Sequence, residues 1–468
     1  MSGPVRAGDA RRIARGLASN IAATAARFAA QFAVLPLLFA AWDAERVGIW
    51  LLIATLPAYL AHVGNGFAGA GGVAALAAAQ RGDGDEARSL FRAAWRIATG
   101  ATALLACAFA IGGAALVLAD PPVLEVARRA DIAIAIGWLA AYVMLTGQFT
   151  LLDLPFRVAG RYPDHSLLAA LAVLGDAAAV VIGLWLGDSY AALAGAMTIN
   201  RLVILIVTLA IARRAAPLLL GASPRPSARG KLTDLVKPSL GLMLFPLILG
   251  LNLQGYALLI GFAFGPALLA AFIATRTLVR LLDVATGLTF TLQFYEFGYL
   301  DQDRTTVQRR MLATMTLLTL AVSLGFAALV MATGPSVQAW ATDGETRFDF
   351  LVAGILLIAA LLRALATNPV AMLAAANRTQ AVSGPYAVAS LAGLLAAGSL
   401  VLADAPLWAV VLPLVGAEAV QAIRAFGGAF TLTQTRPETF RRTLLSRERL
   451  ADLAALARKL PGLQRRPG

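Results

Sequence analysis

The sequence predicts an all-α polytopic membrane protein of about twelve transmembrane helices in two six-helix halves. Three observations carry that prediction. The 468 residues are 59% hydrophobic and 14% charged, with a mean hydropathy of +0.75, whereas soluble domains are about 25% charged. The apolar residues gather in runs long enough to cross a bilayer, which takes about 20 residues. The connections between runs alternate between arginine-rich and arginine-poor.

The runs cover residues 17–40, 47–79, 91–119, 130–158, 164–186, 189–212, 235–262, 266–297, 310–333, 348–375, 381–403 and 405–431. One set of connections holds Arg81, Arg88, Arg92 and Arg96, then Arg157 and Arg161, then Arg213, Arg214, Arg225, Arg229, Lys231 and Lys237, then Arg304, Arg309 and Arg310, then Arg378, and the tail from Arg436. The other set is acidic or poor in cations, with Asp43, Glu45, Asp120, Glu125, Asp188, Asp343, Glu345, Asp349 and Asp404. The positive-inside rule assigns the first set to the cytoplasm. Both termini are then inside, as an even number of spans requires, and residues 42–46 and 342–347 are outside.

The longest non-apolar connection, 215–234, contains Pro217, Pro224 and Pro226 and reads as a cytoplasmic linker. It divides residues 1–214 from residues 235–431, and a basic tail, 432–468, follows. A faint repeat supports the division. The stretch from Leu37 to Trp50 resembles that from Leu259 to Phe272, and Asp85 to Arg92 resembles Asp303 to Arg310. In the first pair a span ends, turns tightly outside and a second span begins. Parallel repeats of this kind belong to alternating-access transporters with substrate between the halves. In the tail, Phe440, Leu444, Leu450, Leu453, Leu456 and Leu460 share one face of a basic helix, which fits the anionic lipids of the inner leaflet. A solvated basic tail is the competing reading.

Several function classes are excluded. The formal charge of +13 does not indicate nucleic acid, because the cations cluster in loops between spans. The basic, polar first 16 residues run straight into a long span, so no cleavable signal is expected. Cys107 is the single cysteine, which rules out an intramolecular disulfide. No GxxxxGK[ST] loop is present, so no P-loop hydrolysis of ATP is expected. The two histidines, His62 and His165, build no Cys/His metal cluster. Residues 81–86 are acidic and Gly-rich but too short for a calcium loop. No cofactor and no metal are expected.

The informative residues are arginines inside apolar runs: Arg27, Arg201, Arg276, Arg280 and Arg363. Each costs roughly 2.5–3.5 kcal/mol at the bilayer centre if it faces lipid. Pointing them into a shared aqueous cavity removes that cost and leaves a cationic path for an anionic substrate. Arg276 and Arg280 are four apart and share a helix face, at depths of roughly 15 and 21 Å from the outer end near Pro266. Two guanidiniums on one face suit a diphosphate, since each binds phosphate oxygens bidentately. An ion pair of Arg280 with Asp283 is the competing reading. Arg27 has Gln31 one turn on, and the repeat-equivalent span carries Asn252 and Gln254, so these polar groups are expected to face one cleft. Asp176 or Glu418 could instead pair with Arg27. His62, Asp176 and Glu418 are the candidates for ion coupling, with H+ or Na+ as the ion. The glycines Gly64, Gly66, Gly69, Gly71 and Gly72 are expected to bend span two. Asp153 and Arg157 flank Pro155 and serve as a gate or as a plain ion pair.

Three stretches carry a family resemblance. Span one ends in Leu35-Pro36-Leu37-Leu38, and a short turn leads to Arg46-Val47-Gly48-Ile49-Trp50-Leu51-Leu52. A Gly-rich span and then Gln80 to Arg88 follow. Leu235-Val236-Lys237-Pro238-Ser239-Leu240 and Thr275-Arg276-Thr277-Leu278-Val279-Arg280 add to the pattern. Together they resemble the Wzx-type O-antigen and polysaccharide flippases of the multidrug/oligosaccharidyl-lipid/polysaccharide exporter superfamily. The resemblance implies two six-helix bundles related by a pseudo-two-fold axis in a MATE-like V. It implies a transporter, not an enzyme, of the bacterial inner membrane. The cargo would be an undecaprenyl-diphosphate-linked oligosaccharide, an O-antigen or exopolysaccharide repeat unit, moved from the cytoplasmic to the periplasmic leaflet. Cavity arginines would hold the diphosphate. The family is expected to act as a monomer beside a polysaccharide polymerase and a chain-length regulator. A cation or drug antiporter of the same superfamily is the alternative, and a membrane polysaccharide polymerase is a more distant one.

Overall fold

A computed structural model describes residues 26, 29–30, 32–119, 128–220, 248, 250–283, 286–287, 305–376, 378–444, 446 and 449. For residues 58–59, 61–74 and 77 it describes the backbone alone. The structure is all-helical among the described residues. After α1 (32–39) come α2 (Ala44–Gln80), α3 (Gly84–Leu118), α4 (Arg129–Leu151), α5 (Asp153–Val158), α6 (Tyr162–Leu186), α7 (Tyr190–Ala215) and α8 (Pro217–Leu220). A π-helical turn (Leu251–Gly255) leads into α9 (Tyr256–Phe264) and α10 (Pro266–Val279). The remainder is α11 (Thr305–Ala341), α12 (Phe350–Ala375), α13 (Gln380–Leu402), α14 (Leu407–Val411), α15 (Pro413–Leu432) and α16 (Pro437–Leu444).

Eight helical stretches among the described residues are long and apolar enough to cross a membrane. The protein is therefore a multi-pass membrane protein. Its outer side chains agree: Leu104, Ile111, Val388, Leu395 and Ile423 are exposed in mid-helix. In water such a surface would be a liability, but against lipid it costs nothing.

The helices end where local chemistry dictates. Asp43 accepts from the Arg46 amide at 2.8 Å and starts α2, Asp83 accepts from Glu86 at 2.8 Å and starts α3, and Asp349 accepts from Leu351 and Val352 and starts α12. Acids in the connections thus also cap helices. Two runs read as continuous are broken instead. Span four splits at Leu152, before Pro155, and the last span splits at Leu412, before Pro413. Proline removes an amide donor and crowds the preceding turn. The α2 backbone stays helical through its glycines. Gly265, at φ 88°, turns the chain between α9 and α10, and Pro266 opens the next helix.

By contact the chain forms two compact units, Met1–Ala274 with Ala339–Thr346, and Thr275–Gln338 with Arg347–Gly468. In the first unit α2, α3, α4, α6 and α7 pack together around Leu38, Val47, Ile49, Ile132, Tyr190 and Leu193. Gly48 lies so close to Pro266 that a Cβ there would collide with the Pro266 carbonyl. Both turns of the first repeat pair therefore meet within this unit. The linker begins with structure: Leu219 of α8 is buried with Ala75, Leu90, Phe91 and Leu154. In the second unit α12 and α13 pack on α15. Phe440 and Leu444 of the tail pack on Leu312, Met372 and Ala429. Over α16, the apolar face assigned from the sequence to lipid lies against protein. The rest of linker and tail, Arg27 and Gln31 lie outside the described residues.

Candidate functional site

In the second unit, α10 ends at Val279, and the Arg280 amide still donates to the Arg276 carbonyl at 2.9 Å. The two residues are thus one helical turn apart. Arg276 is buried, while the Arg280 side chain is about one third exposed. Beside Arg276, the Thr275 hydroxyl donates to Gln338 at 2.8 Å, and Gln338 donates to the Arg347 carbonyl at 3.1 Å. Arg280 lies 3.9 Å from Asp283. Asp283 is also the partner of Arg363, whose Nε donates to its Oδ1 at 3.0 Å. The other arm of Arg363 donates to Glu418 Oε1 at 3.1 Å. The Tyr386 hydroxyl donates to the same oxygen at 3.1 Å. Glu418 is fully buried, and its Oε2 has no hydrogen-bond partner.

This arrangement joins two guanidiniums, Arg280 and Arg363, to two carboxylates, Asp283 and Glu418. The Arg280–Asp283 pair read from the i,i+3 spacing is present but long, because Asp283 is shared. The sequence assigned Arg363 no partner, and Glu418 was named as one for Arg27. Glu418 belongs to Arg363 instead, an assignment that sequence separation conceals.

In the first unit, Arg201 forms an ion pair with Asp176. Asn200 donates to the other Asp176 oxygen at 2.7 Å, and the Tyr142 hydroxyl donates to Asp176 at 2.9 Å. The Arg201 guanidinium also sits 5.1 Å from the Tyr142 ring centroid. Asp176 is thereby taken by Arg201 as well. Asn252 and Gln254 fall in the π-helical turn, and both are buried. Such turns recur at functional sites, and the Gln254 amide oxygen has no partner. His62 lies on α2, where only the backbone is described.

Asp153 and Arg157 are paired at 2.5 Å. A third member, His165, places Nδ1 3.3 Å from Asp153 and stacks on Phe149 at 5.0 Å. Sequence reasoning considered this histidine only as a metal ligand; its partner Asp153 lies twelve residues away across the turn between α5 and α6, a separation that gives no spacing signal. A second missed feature lies at the N-terminal ends of α2 and α7. Arg46 Nη1 sits 2.6 and 2.7 Å from the two oxygens of Asp188, Trp42 donates to Asp188 at 2.7 Å, and the guanidinium lies 4.3 Å from the Trp42 ring centroid. The hydrogen bond from Arg46 is the main reason the Asp188 carboxyl is held below the usual carboxylate range; that from Trp42 adds to it.

No protein-family model matches the sequence, and no curated protein is similar to it by sequence. Solved structures are similar in fold. An inward-facing multidrug resistance MATE family transporter of the MOP superfamily aligns with a TM-score of 0.67 at 14% identity, covering 88% of this chain and 94% of that one. The lipid II flippase MurJ, in an inward closed conformation, aligns with a TM-score of 0.66 at 12% identity, covering 94% and 92%. A MATE in complex with MaL6 aligns with a TM-score of 0.62 at 15% identity, covering 90% and 96%. At these identities the likeness is one of fold, and the proteins that share it are transporters and flippases.

Proposed function

We propose that the protein is a flippase for an undecaprenyl-diphosphate-linked oligosaccharide, an O-antigen or exopolysaccharide repeat unit of the Wzx type. It moves this substrate from the cytoplasmic to the periplasmic leaflet of a bacterial inner membrane by alternating access. The observation that carries this reading is the placement of Arg276 and Arg280 one helical turn apart at the end of α10, with Arg280 beside an Asp283 that it shares with Arg363. Arg276 and Arg280, one turn apart, hold the diphosphate. Asp283 neutralises part of that charge when no substrate is bound. The fold shared with a lipid II flippase supports a lipid-linked cargo.

Transport is coupled to a gradient of H+ or Na+. Glu418 is the better-placed coupling group, because one of its oxygens is buried without a partner, whereas both oxygens of Asp176 accept hydrogen bonds. That same free oxygen favours the second reading, a MATE-like antiporter of cations or drugs, in which an embedded acid exchanges its ion for a cationic cargo.

The test compares translocation of the lipid-linked glycan in proteoliposomes with melting of the same variants. Each charge-assisted hydrogen bond contributes roughly 1.5–3 kcal/mol, so Arg276→Ala and Arg280→Ala should weaken substrate binding on the order of 10–100-fold. Arg280→Lys should recover part, since a point charge does not bind bidentately. Alanine variants that fold well and transport at the wild-type rate remove these residues from the mechanism. Destabilisation by Arg280→Ala that Asp283→Ala rescues assigns the pair to structure alone. Efflux of cationic drugs with no flipping selects the antiporter.

A further inference from the structure

A cavity of about 370 Å³ lies among α3, α7 and α8 of the first unit. Arg92, Arg96 and Arg213 line it together with Phe91, Trp95 and Leu219, and no carboxylate among the described residues does. On α3, residues 91 and 95 form one row of the helix surface and residues 92 and 96 the adjacent row, because positions four apart stack. The wall is thus aromatic on one side and cationic on the other. Phe91 and Trp95 meet edge to face at 5.1 Å, and Leu219 is anchored in the core. The Arg88 side chain donates to the Leu218 carbonyl at 2.6 Å and fixes α8 against α3. The wall is therefore built before any ligand arrives.

Its depth in the membrane follows from α3. Past Arg96 the helix runs to Leu118 with no charged residue. That is about 22 residues, or roughly 33 Å at 1.5 Å per residue, close to the hydrocarbon thickness of a bilayer. Arg96 therefore stands at the level of the lipid phosphates. By the positive-inside rule this is the cytoplasmic leaflet. Arg213 reaches the same level from the last turn of α7. Arg96 and Arg213 are exposed, and Arg92 is half-buried.

We propose that this cavity binds the phosphate headgroup of an anionic phospholipid of the cytoplasmic leaflet. Guanidiniums bind phosphate oxygens bidentately, and basic pockets between spans on this side suit anionic headgroups. The aromatic wall receives the glycerol and upper acyl carbons, which a free phosphate lacks. This inference goes beyond the transport reading and does not depend on it.

The experiment uses the full chain in phosphatidylcholine nanodiscs, with a photoactivatable phosphatidylglycerol as probe. Labelling should fall on peptides containing residues 91–96 and 209–220, and phosphatidylglycerol should raise the melting temperature while added phosphatidylcholine or inorganic phosphate does not. Arg96→Gln with Arg213→Gln, two exposed positions, should cut labelling roughly tenfold or more. Arg96→Lys with Arg213→Lys should restore part of it. Labelling elsewhere, equal stabilisation by phosphatidylcholine, or full labelling of the glutamine variant overturns the proposal. Stabilisation by inorganic phosphate alone also overturns it, in favour of a soluble anion. The wild-type labelling map decides even if the variants fold poorly.

Discussion

Two arginines are carried into apolar surroundings, Arg201 in the first unit and Arg363 in the second, and their environments differ. Arg201 has one carboxylate, and that carboxylate is saturated by Asn200, Tyr142 and Arg201 itself. Arg363 has two carboxylates, one shared with Arg280 and one with an unpartnered oxygen. In the first network the acid is closed off: both oxygens of Asp176 are matched within three helices, α4, α6 and α7, although Arg201 Nε has no hydrogen-bond partner. The second is left with vacant acceptor capacity, since Glu418 Oε2 has no hydrogen-bond partner, and its Asp283 is shared between two arginines. A closed network fixes helices, whereas an open one can change its ionic partners during a cycle.

The largest expected effect tests closure. Removing one member of a buried, saturated pair leaves the other uncompensated, at a cost of about 3–5 kcal/mol. Arg201→Ala should therefore lower the melting temperature strongly, and Arg201→Met with Asp176→Leu should recover most of the loss. A fully stable Arg201→Ala variant that fails to transport would break the comparison and return Arg201 to the substrate path.

A smaller effect on stability tests openness. Glu418→Gln keeps the shape and an acceptor for Tyr386 while removing the charge, so its cost is expected near that of one charged hydrogen bond, about 1.5–3 kcal/mol at most. Transport should lose its dependence on the ion gradient. Asp176→Asn should lose stability and keep the gradient dependence. If both variants respond to the gradient as the wild type does, neither acid couples transport to ions.

The contrast between the networks also separates what the sequence reveals from what it hides. Among the described residues helix positions were legible, because apolar runs of membrane length admit few alternatives, and so was the Arg280–Asp283 pair, whose spacing is local. The breaks at Leu152 and Leu412 were signalled by Pro155 and Pro413, yet the apolar runs pass through both. The partners of Arg201 and Arg363 were not legible. Asp176 and Glu418 lie 25 and 55 residues from them, on other helices, and any embedded acid looks equally available in a linear sequence. His165 was hidden for a related reason: its partner Asp153 lies across the turn between α5 and α6. The basic loop residues Arg92, Arg96 and Arg213 read as topology signals, and only packing against α8 brings them around one cavity.

The smallest expected effect extends the comparison to a pair that water reaches. Arg46 is buried, but the Asp188 side chain is 68% exposed, so solvent screens the pair, and such pairs contribute about 0.2–1 kcal/mol. Its pH dependence has a definite sign. The hydrogen bond from Arg46 depresses the folded carboxyl below its unfolded value of about 3.9. A group depressed in the folded state contributes stability above the unfolded value and loses it as the pH falls through the folded one. The melting difference between wild type and Asp188→Asn should thus be constant from neutral pH to about pH 4 and close below it. It should also shrink with salt, because an exposed pair is screened, whereas the Arg201 difference should not. A gap that widens on acidification, or that salt leaves untouched, would mean that Asp188 acts through the hydrogen bond it accepts from Trp42 and not through its charge.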